Sequence, residues 1–176
     1  MGKRKQVLRW FWAWNDEREE QWLEAMARRG WHLVSGPLVY GFEQGAPAEV
    51  RYRLDYRNES KGLDDYVKLC KEAGWERVFQ YAGWQYFRTA SAEAPEFYTD
   101  APSRIAKYQR LFSFVLAVAL ATTVAQVPML MRAPDNPQDL HLHLFIRWIV
   151  LGLMAAWVVI LARLGLGIRK MKRQLR

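Results

Sequence analysis

Apolar residues in the N-terminal half of the chain recur first at every second position and then at helical spacing. Residues 7–14 alternate, which predicts a strand with one aromatic face formed by tryptophans. Trp22, Leu23 and Met26 then predict a helix to about Arg29, and Gly30 can end it in the left-handed conformation. Residues 31–35 and 38–43 follow on either side of a Gly-Pro pair, which indicates a hairpin. The order of elements is therefore strand, helix, strand, strand.

This order returns 44 residues later, because Gly30-Trp31 aligns without a gap with Gly74-Trp75. In the second copy, residues 50–57 predict the strand, a helix ends at Gly74, and residues 75–80 and 84–89 predict the hairpin. The sequence thus predicts a duplicated strand-helix-strand-strand unit in an α+β domain, with an antiparallel sheet and both helices on one face. Asp16 and Glu19 at the start of the first helix suggest a capping box.

Two later segments, residues 111–131 and 144–166, are nearly free of charge. Each has about the 20 residues that a helix needs to cross a bilayer, so the sequence predicts a transmembrane hairpin over residues 111–168. Residues 1–95 are predicted to form the cytoplasmic domain and residues 96–110 a linker and basic juxtamembrane helix, capped by Thr99 or Asp100. Residues 169–176 form a basic cytoplasmic tail.

Basic residues flank this hairpin on both sides, whereas Arg132 is the one Lys or Arg in the loop between the spans. The positive-inside rule therefore places the domain and the C-terminus in the cytoplasm of a cell membrane and the loop outside. Seven basic side chains are expected to contact lipid headgroups: Arg104, Lys107, Arg110, Arg169, Lys170, Lys172 and Arg173.

The formal net charge of +8 would first indicate nucleic-acid binding, but the excess beside the apolar segments favours a membrane surface, so no nucleic-acid partner is expected. The sequence contains no glycine-rich phosphate loop, Ser-His-Asp order or zinc-type cysteine spacing. We therefore expect no enzymatic activity, no cofactor and no metal. His141 and His143 are interpreted as solvated residues of the loop, and the lone Cys70 as a small core residue.

Several motifs together resemble the bacterial family known as domain of unknown function 2812, over about residues 7–110. They are Trp12-x-Trp14-x-Asp16, Gln21-Trp22-Leu23, Gly30-Trp31, the segments at residues 52–56, 73–76 and 83–88, and Tyr98-Thr99-Asp100. The resemblance implies a bacterial cytoplasmic domain attached to membrane helices. It implies no activity, so it assigns no catalytic residue.

Aromatic residues are unusually frequent, with nine Trp, eight Tyr and eight Phe. The duplicated order of elements resembles GyrI-like multidrug-sensor domains, and this resemblance implies an aromatic cleft between the halves for flat or cationic compounds. The predicted ligand-binding residues alternate onto one side of three predicted strands and are Trp10, Trp12, Tyr52, Tyr56, Trp84 and Tyr86. The same pattern also fits a core beneath the two helices, and the sequence leaves these two interpretations open.

Two functions follow as hypotheses. The first is a membrane-tethered cytoplasmic sensor or binding module that takes a small apolar or cationic ligand by stacking and cation-π contact. The alternative is a membrane-anchored adaptor or regulatory protein whose soluble domain docks a transporter subunit or another regulator.

Overall fold

A computed structural model describes residues 3–57, 62–97, 101–132, 138 and 140–173. The predicted cap at Thr99 or Asp100, half of the predicted loop (residues 133–137 and 139) and the last three residues of the tail lie outside these residues. The chain divides into two compact units, Met1–Lys107 and Tyr108–Arg176.

The described residues of the first unit form six strands and two helices, followed by the beginning of a third helix, in the predicted order. These elements are β1 (Arg4–Arg9), α1 (Asp16–Arg28), β2 (Trp31–Ser35), β3 (Leu38–Gln44), β4 (Arg51–Tyr56), α2 (Leu63–Glu72), β5 (Glu76–Tyr81), β6 (Trp84–Thr89) and α3 (Ala101–Met131). The α+β class and the repeated strand-helix-strand-strand order are confirmed.

The strands form two antiparallel sheets, in place of the one sheet that the sequence predicted. Sheet A has the order β1-β3-β2, and sheet B has the order β4-β6-β5. In each sheet the third strand of the copy is central, because it pairs with the first strand on one side and with its hairpin partner on the other. Each copy therefore builds its own sheet.

The two copies share a register irregularity at the same place. In sheet A the register shifts at Val34, beyond the Leu33/Phe42 pair, and in sheet B it shifts at Val78, beyond the Arg77/Phe87 pair. A β-bulge inserts one extra residue on one strand, so the shared bulge supports the duplication. It also corrects the gap-free alignment, because Phe42 corresponds to Phe87, a shift of 45 residues.

The first strands differ more, since Phe42 pairs with Lys5 and Phe87 pairs with Arg53, a shift of 48 residues. The predicted strand over residues 7–14 is therefore wrong for its second half. Arg9 pairs with Leu38, the first residue of β3, so no partner strand remains for Trp10 and the residues after it. The chain instead turns, and the Asn15 amide donates to the Trp12 carbonyl at 2.8 Å.

The first unit has two apolar clusters. The larger one joins Leu23 of α1 to Tyr40 and Phe42 of sheet A and to Tyr52 and Tyr86 of sheet B. The smaller one packs α2 against the opposite side of β6, and its members are Cys70, Trp75, Phe87 and Ala94, with Tyr66, Val67, Ala73 and Phe97 around them. Sheet B is thus covered on both faces, and Cys70 is a core residue as predicted.

The chain after β6 also belongs to the first unit, although residue 95 was the predicted domain boundary. The Trp75 indole donates to the Pro95 carbonyl at 2.8 Å, and Phe97 packs on that indole with centroids 4.7 Å apart. Glu96 accepts hydrogen bonds from Arg51 at 2.8 Å and from Arg53 at 2.7 Å. These contacts attach residues 95–97 to the core.

Gly30 and Gly74 end α1 and α2 with φ angles of +78° and +88°. We expect Gly74→Val to lower the free energy of unfolding by at least about 1 kcal/mol, because a branched side chain is strained in this conformation. Gly30→Ala should cost more than Gly74→Ala. A Cβ at Gly30 would lie 2.7 Å from the Gly45 carbonyl oxygen, whereas one at Gly74 would meet only Ala94 at an ordinary 3.5 Å.

Chemical denaturation of the two alanine variants, followed by tryptophan fluorescence, measures this difference. Equal losses of stability in Gly30→Ala and Gly74→Ala would contradict the predicted backbone clash.

The second unit contains the rest of α3 and a long helix, α4 (Leu140–Arg173). The segments Arg104–Met131 and Leu140–Arg173 are both long and apolar enough to cross a membrane. α3 runs through its basic start into its apolar part as one helix, as predicted. These features are consistent with the predicted two-helix hairpin.

Candidate functional site

The six predicted ligand-binding aromatics do not share one open surface. Tyr52, Tyr56 and Tyr86 are at most 2% exposed, and Trp84 is half-buried beside Tyr56, with ring centroids 5.4 Å apart. Tyr52 and Tyr86 belong to the larger cluster, because it covers this face of sheet B. Four of the six positions therefore belong to the protein interior or its margin.

Trp10 and Trp12 are the two predicted residues that remain accessible, with exposed fractions of 62% and 48%. Their rings are perpendicular, with centroids 5.5 Å apart, and Trp12 stacks on Trp14 at 5.0 Å. Because the chain has left β1 before Trp10, these three indoles form a ladder between β1 and α1. Phe11 points the other way and packs against Trp22 and Tyr40.

An open apolar face of sheet A adjoins this ladder. Leu8 of β1 pairs with Val39 of β3, and both side chains are exposed, Leu8 to 76%. Val34 is also exposed, at the bulge of β2. We call Leu8, Val34, Val39, Trp10 and Trp12 the open face.

The cavity between the two copies is lined by charged and aliphatic side chains, and its described lining includes no Trp, Tyr or Phe, whereas the GyrI-like resemblance implied an aromatic cleft. A cavity of ≈ 500 Å³ between β2 and β5 is lined in part by His32, Glu43, Glu76, Arg77 and Arg88. Arg88 donates to Glu76 at 2.9 Å, and His32 bonds the Ala46 carbonyl at 2.9 Å. Stacking of a flat ligand in this cleft is therefore not favoured.

A network of carboxylates on α1 was not predicted as a unit. Glu20 accepts from the Leu54 amide at 2.7 Å, and Glu24 accepts from the Tyr52 amide at 3.2 Å. β4 is an edge strand, and its outward amides would otherwise lack partners in the sheet. The helix of the first copy thus completes the hydrogen bonds along the sheet edge of the second copy.

Glu19 joins the two copies inside the larger cluster. Its Oε1 accepts from the Tyr40 hydroxyl at 2.7 Å and from the Tyr86 hydroxyl at 2.6 Å. Burial raises the pKa of Glu19, and the two phenolic hydrogen bonds oppose that shift. The predicted capping box is therefore wrong, since the N-cap Asn15 makes no side-chain capping bond and Glu19 points to the tyrosines.

Lys107, near the start of α3, closes the network. Its Nζ donates to the Asp16 carboxylate and to the Leu54 carbonyl, the latter at 3.0 Å. Lys107 is 4% exposed and Asp16 is 2% exposed. The predicted headgroup contact of Lys107 is therefore corrected, because its charge is buried against α1 and β4.

The other predicted anchoring residues lie differently. Arg104 is half-exposed and 3.7 Å from Glu17, and Arg110 is partly buried. The remaining four, Arg169, Lys170, Lys172 and Arg173, are exposed at the end of α4. Their contact with headgroups stays a prediction.

Glu20 gives the network a pH dependence. Burial raises its pKa to about 8, while the Leu54 amide and Lys107 oppose the shift. A raised folded-state pKa means that this group's stabilisation is complete below its ordinary pKa of 4.5 and is lost as the pH rises through about 8.

Between about pH 6 and 8, wild-type protein should therefore lose about 2 kcal/mol of stability relative to Glu20→Gln, at about 1.4 kcal/mol per pH unit. The glutamine carbonyl can still accept from the Leu54 amide, so the variant isolates the charge. Denaturant unfolding across this range measures the difference, and parallel pH profiles would show that Glu20 does not titrate there.

One family model matches the chain, and its description names no activity. The model described as "Protein of unknown function (DUF2812)" matches residues 15–120. No curated protein and no solved structure matches the chain. The matched region contains the carboxylate network and Lys107, and begins after Trp12. The chain belongs to the DUF2812 family, as the sequence motifs indicated.

Proposed function

We propose that the chain is a membrane-tethered regulatory module without enzymatic activity, in which the first turns of α3 report the state of the duplicated domain. The observation that carries this proposal is Lys107, which binds Asp16 of the first copy and the Leu54 carbonyl of the second. α3 continues from this point into a segment apolar enough to cross a membrane.

The burial of Lys107 makes this contact sensitive to the arrangement of the two copies. A buried ammonium is tolerated where an opposite charge and hydrogen-bond acceptors surround it. A ligand or partner that moved α1 relative to β4 would pull Asp16 away from the Leu54 carbonyl. Lys107 would then lose one of its partners, and the start of α3 would be released from the domain.

A binding role fits the titratable groups better than catalysis does. Glu19, Glu20, Tyr40 and Tyr86 are buried and are hydrogen-bonded to one another or to the Leu54 amide. A general acid or base must come within hydrogen-bond distance of its substrate, and these groups lie in the core. Of the six predicted aromatics, Trp10 and Trp12 are accessible, so they are the proposed recognition surface of the module.

Hydrogen exchange of the full chain in lipid nanodiscs tests the coupling. In Lys107→Met, amide exchange should rise both at Tyr52 and Leu54 of β4 and at residues 101–110 of α3. Arg104→Met is the matched control, because Arg104 is exposed and 3.7 Å from its partner, and it should leave β4 unchanged. Unchanged exchange in β4 and α3 of Lys107→Met would refute the proposed coupling.

The tether carries its own prediction. Reporter fusions should place residues 95 and 176 in the cytoplasm and residue 137 outside, since basic residues flank both apolar segments and Arg132 alone lies between them. Neutralising Arg169, Lys170, Lys172 and Arg173 together should not invert the hairpin, because the basic residues before the first segment remain. A cytoplasmic signal from residue 137 would overturn the two-span arrangement.

A further inference from the structure

We infer that the open face of sheet A, together with Trp10 and Trp12, rests against the anionic surface of a lipid bilayer. This inference rests on the proposed membrane tether, which keeps a bilayer within reach of the soluble unit. It assigns the exposed indoles to lipid headgroups and so names the surface that the regulatory module recognises.

The composition of the open face fits the interfacial region of a bilayer. Leu8, Trp10 and Trp12 are 76%, 62% and 48% exposed, and they lie close together in sequence at the end of an edge strand. Indole rings prefer the level of the headgroups, because the ring is apolar and its N–H can still bond polar groups. Val34 and Val39 extend the apolar surface across the sheet.

Charge complementarity selects a bilayer that is anionic. Arg4 lies on the same side of β1 as Leu8, Lys3 directly precedes the strand, and both are exposed. Lys5 and Arg9 alternate onto the other side of β1, where they lie over the rings of Trp31 and Trp22. On the described part of sheet A, Glu43 is the acidic residue that faces this strand, 3.9 Å from Arg4. Basic residues next to exposed aromatics are attracted by anionic lipids, and this attraction decreases within a Debye length of the surface.

The face of sheet B that corresponds to the open face of sheet A is covered by the rest of the domain. The pair Leu8/Val39 in sheet A corresponds in register to Tyr56/Trp84 in sheet B. Tyr56 is 1% exposed and Trp84 is half-buried, so that face lies within the protein. The two copies have diverged at this position into one covered aromatic face and one open face that carries Arg4.

Lipids brominated near the headgroup quench the fluorescence of indoles at that level of the bilayer. Subtracting the fluorescence of the Trp10→Ser/Trp12→Ser variant from that of the wild-type chain isolates these two indoles from Trp148 and Trp157 of α4. In nanodiscs of phosphatidylcholine with phosphatidylglycerol, bromination should lower this difference fluorescence at least about twofold, because the indoles would lie at the interface. In pure phosphatidylcholine the loss should be smaller. Neutralising Lys3 and Arg4 with glutamine should abolish the lipid difference, while Lys68→Gln/Lys71→Gln on α2 should preserve it.

Three outcomes would overturn the inference. Equal fluorescence with and without bromine would show that the indoles do not reach the lipid. Hydrogen exchange at residues 8–14 distinguishes the other occupants. If protection of these amides depended on protein concentration and not on anionic lipid, the open face would bind a second copy of the chain. Protection only by an added soluble protein would assign it to a protein partner. If alkaline carbonate released the full chain from membranes, the proposed membrane tether itself would be wrong. This outcome is distinct from the three above, so failure of the tether can be distinguished from failure of the lipid contact.

Discussion

Replacing Lys107 with methionine should lower the free energy of unfolding of the first unit by about 3–5 kcal/mol, the range for removing one partner of a buried ion pair. Methionine fills a similar volume, so the loss would come from charge and hydrogen bonding. Asp16 would remain 2% exposed without this counter-charge, and the Leu54 carbonyl would lose its Lys107 donor. Denaturant titration of the full chain in detergent measures the loss.

A double-mutant cycle separates the pair from its surroundings. Asp16→Asn in the Lys107→Met background should recover part of the stability, because a neutral amide is less costly to bury than a carboxylate that has lost its Lys107 counter-charge. Arg104→Met should cost less than about 1 kcal/mol, since it removes an exposed contact. If Lys107→Met were as mild as Arg104→Met, the buried pair would not stabilise the unit.

Local signals predicted the elements that depend on neighbouring residues. The stops at Gly30 and Gly74 followed from helical spacing that ends at a glycine, and both have the left-handed φ angles. The hairpins followed from alternation on either side of a turn. The duplication followed from the order of these elements, although the gap-free alignment missed insertions that shift the first strand by 48 residues and the third by 45.

Signals that depend on distant partners misled the prediction. Residues 10–14 alternate like a strand, but alternation does not show whether a partner strand exists, and β3 begins at Leu38 opposite Arg9. Tyr52, Tyr56 and Tyr86 alternate in the same way in an open sheet or a covered one. Only the packing of the first copy against sheet B decides that they are buried.

The carboxylate network was hidden because each member has a common local explanation. Acidic residues in the first turn of α1 fit the helix dipole, and a lysine before an apolar helix fits the headgroup region. Asp16 and Lys107 are 91 residues apart in the sequence. The positions of Glu19, Glu20 and Leu23 could have predicted buried carboxylates, since the helical spacing that buries Leu23 also brings the two carboxylates to the core.

The network and the segment after β6 together predict where the soluble domain ends. A fragment of residues 1–110 should be more stable than one of residues 1–95 by about 5 kcal/mol or more, a large fraction of the 5–15 kcal/mol typical of a domain. The shorter fragment lacks Glu96, which binds Arg51 and Arg53, and Phe97, which packs on Trp75. It also lacks Lys107, so Asp16 would lose this counter-charge.

The sequence-based expectation that residues 1–95 fold alone is therefore revised to residues 1–110. Circular dichroism and denaturant unfolding of both fragments measure the difference, and Lys107→Met in the longer fragment separates the ion pair from the apolar contacts. That variant should lie between the two fragments in stability, since it keeps Glu96 and Phe97. Equal unfolding midpoints for the two fragments would mean that residues 96–110 add nothing to the core, and that the buried contacts of Phe97 and Lys107 do not stabilise the domain.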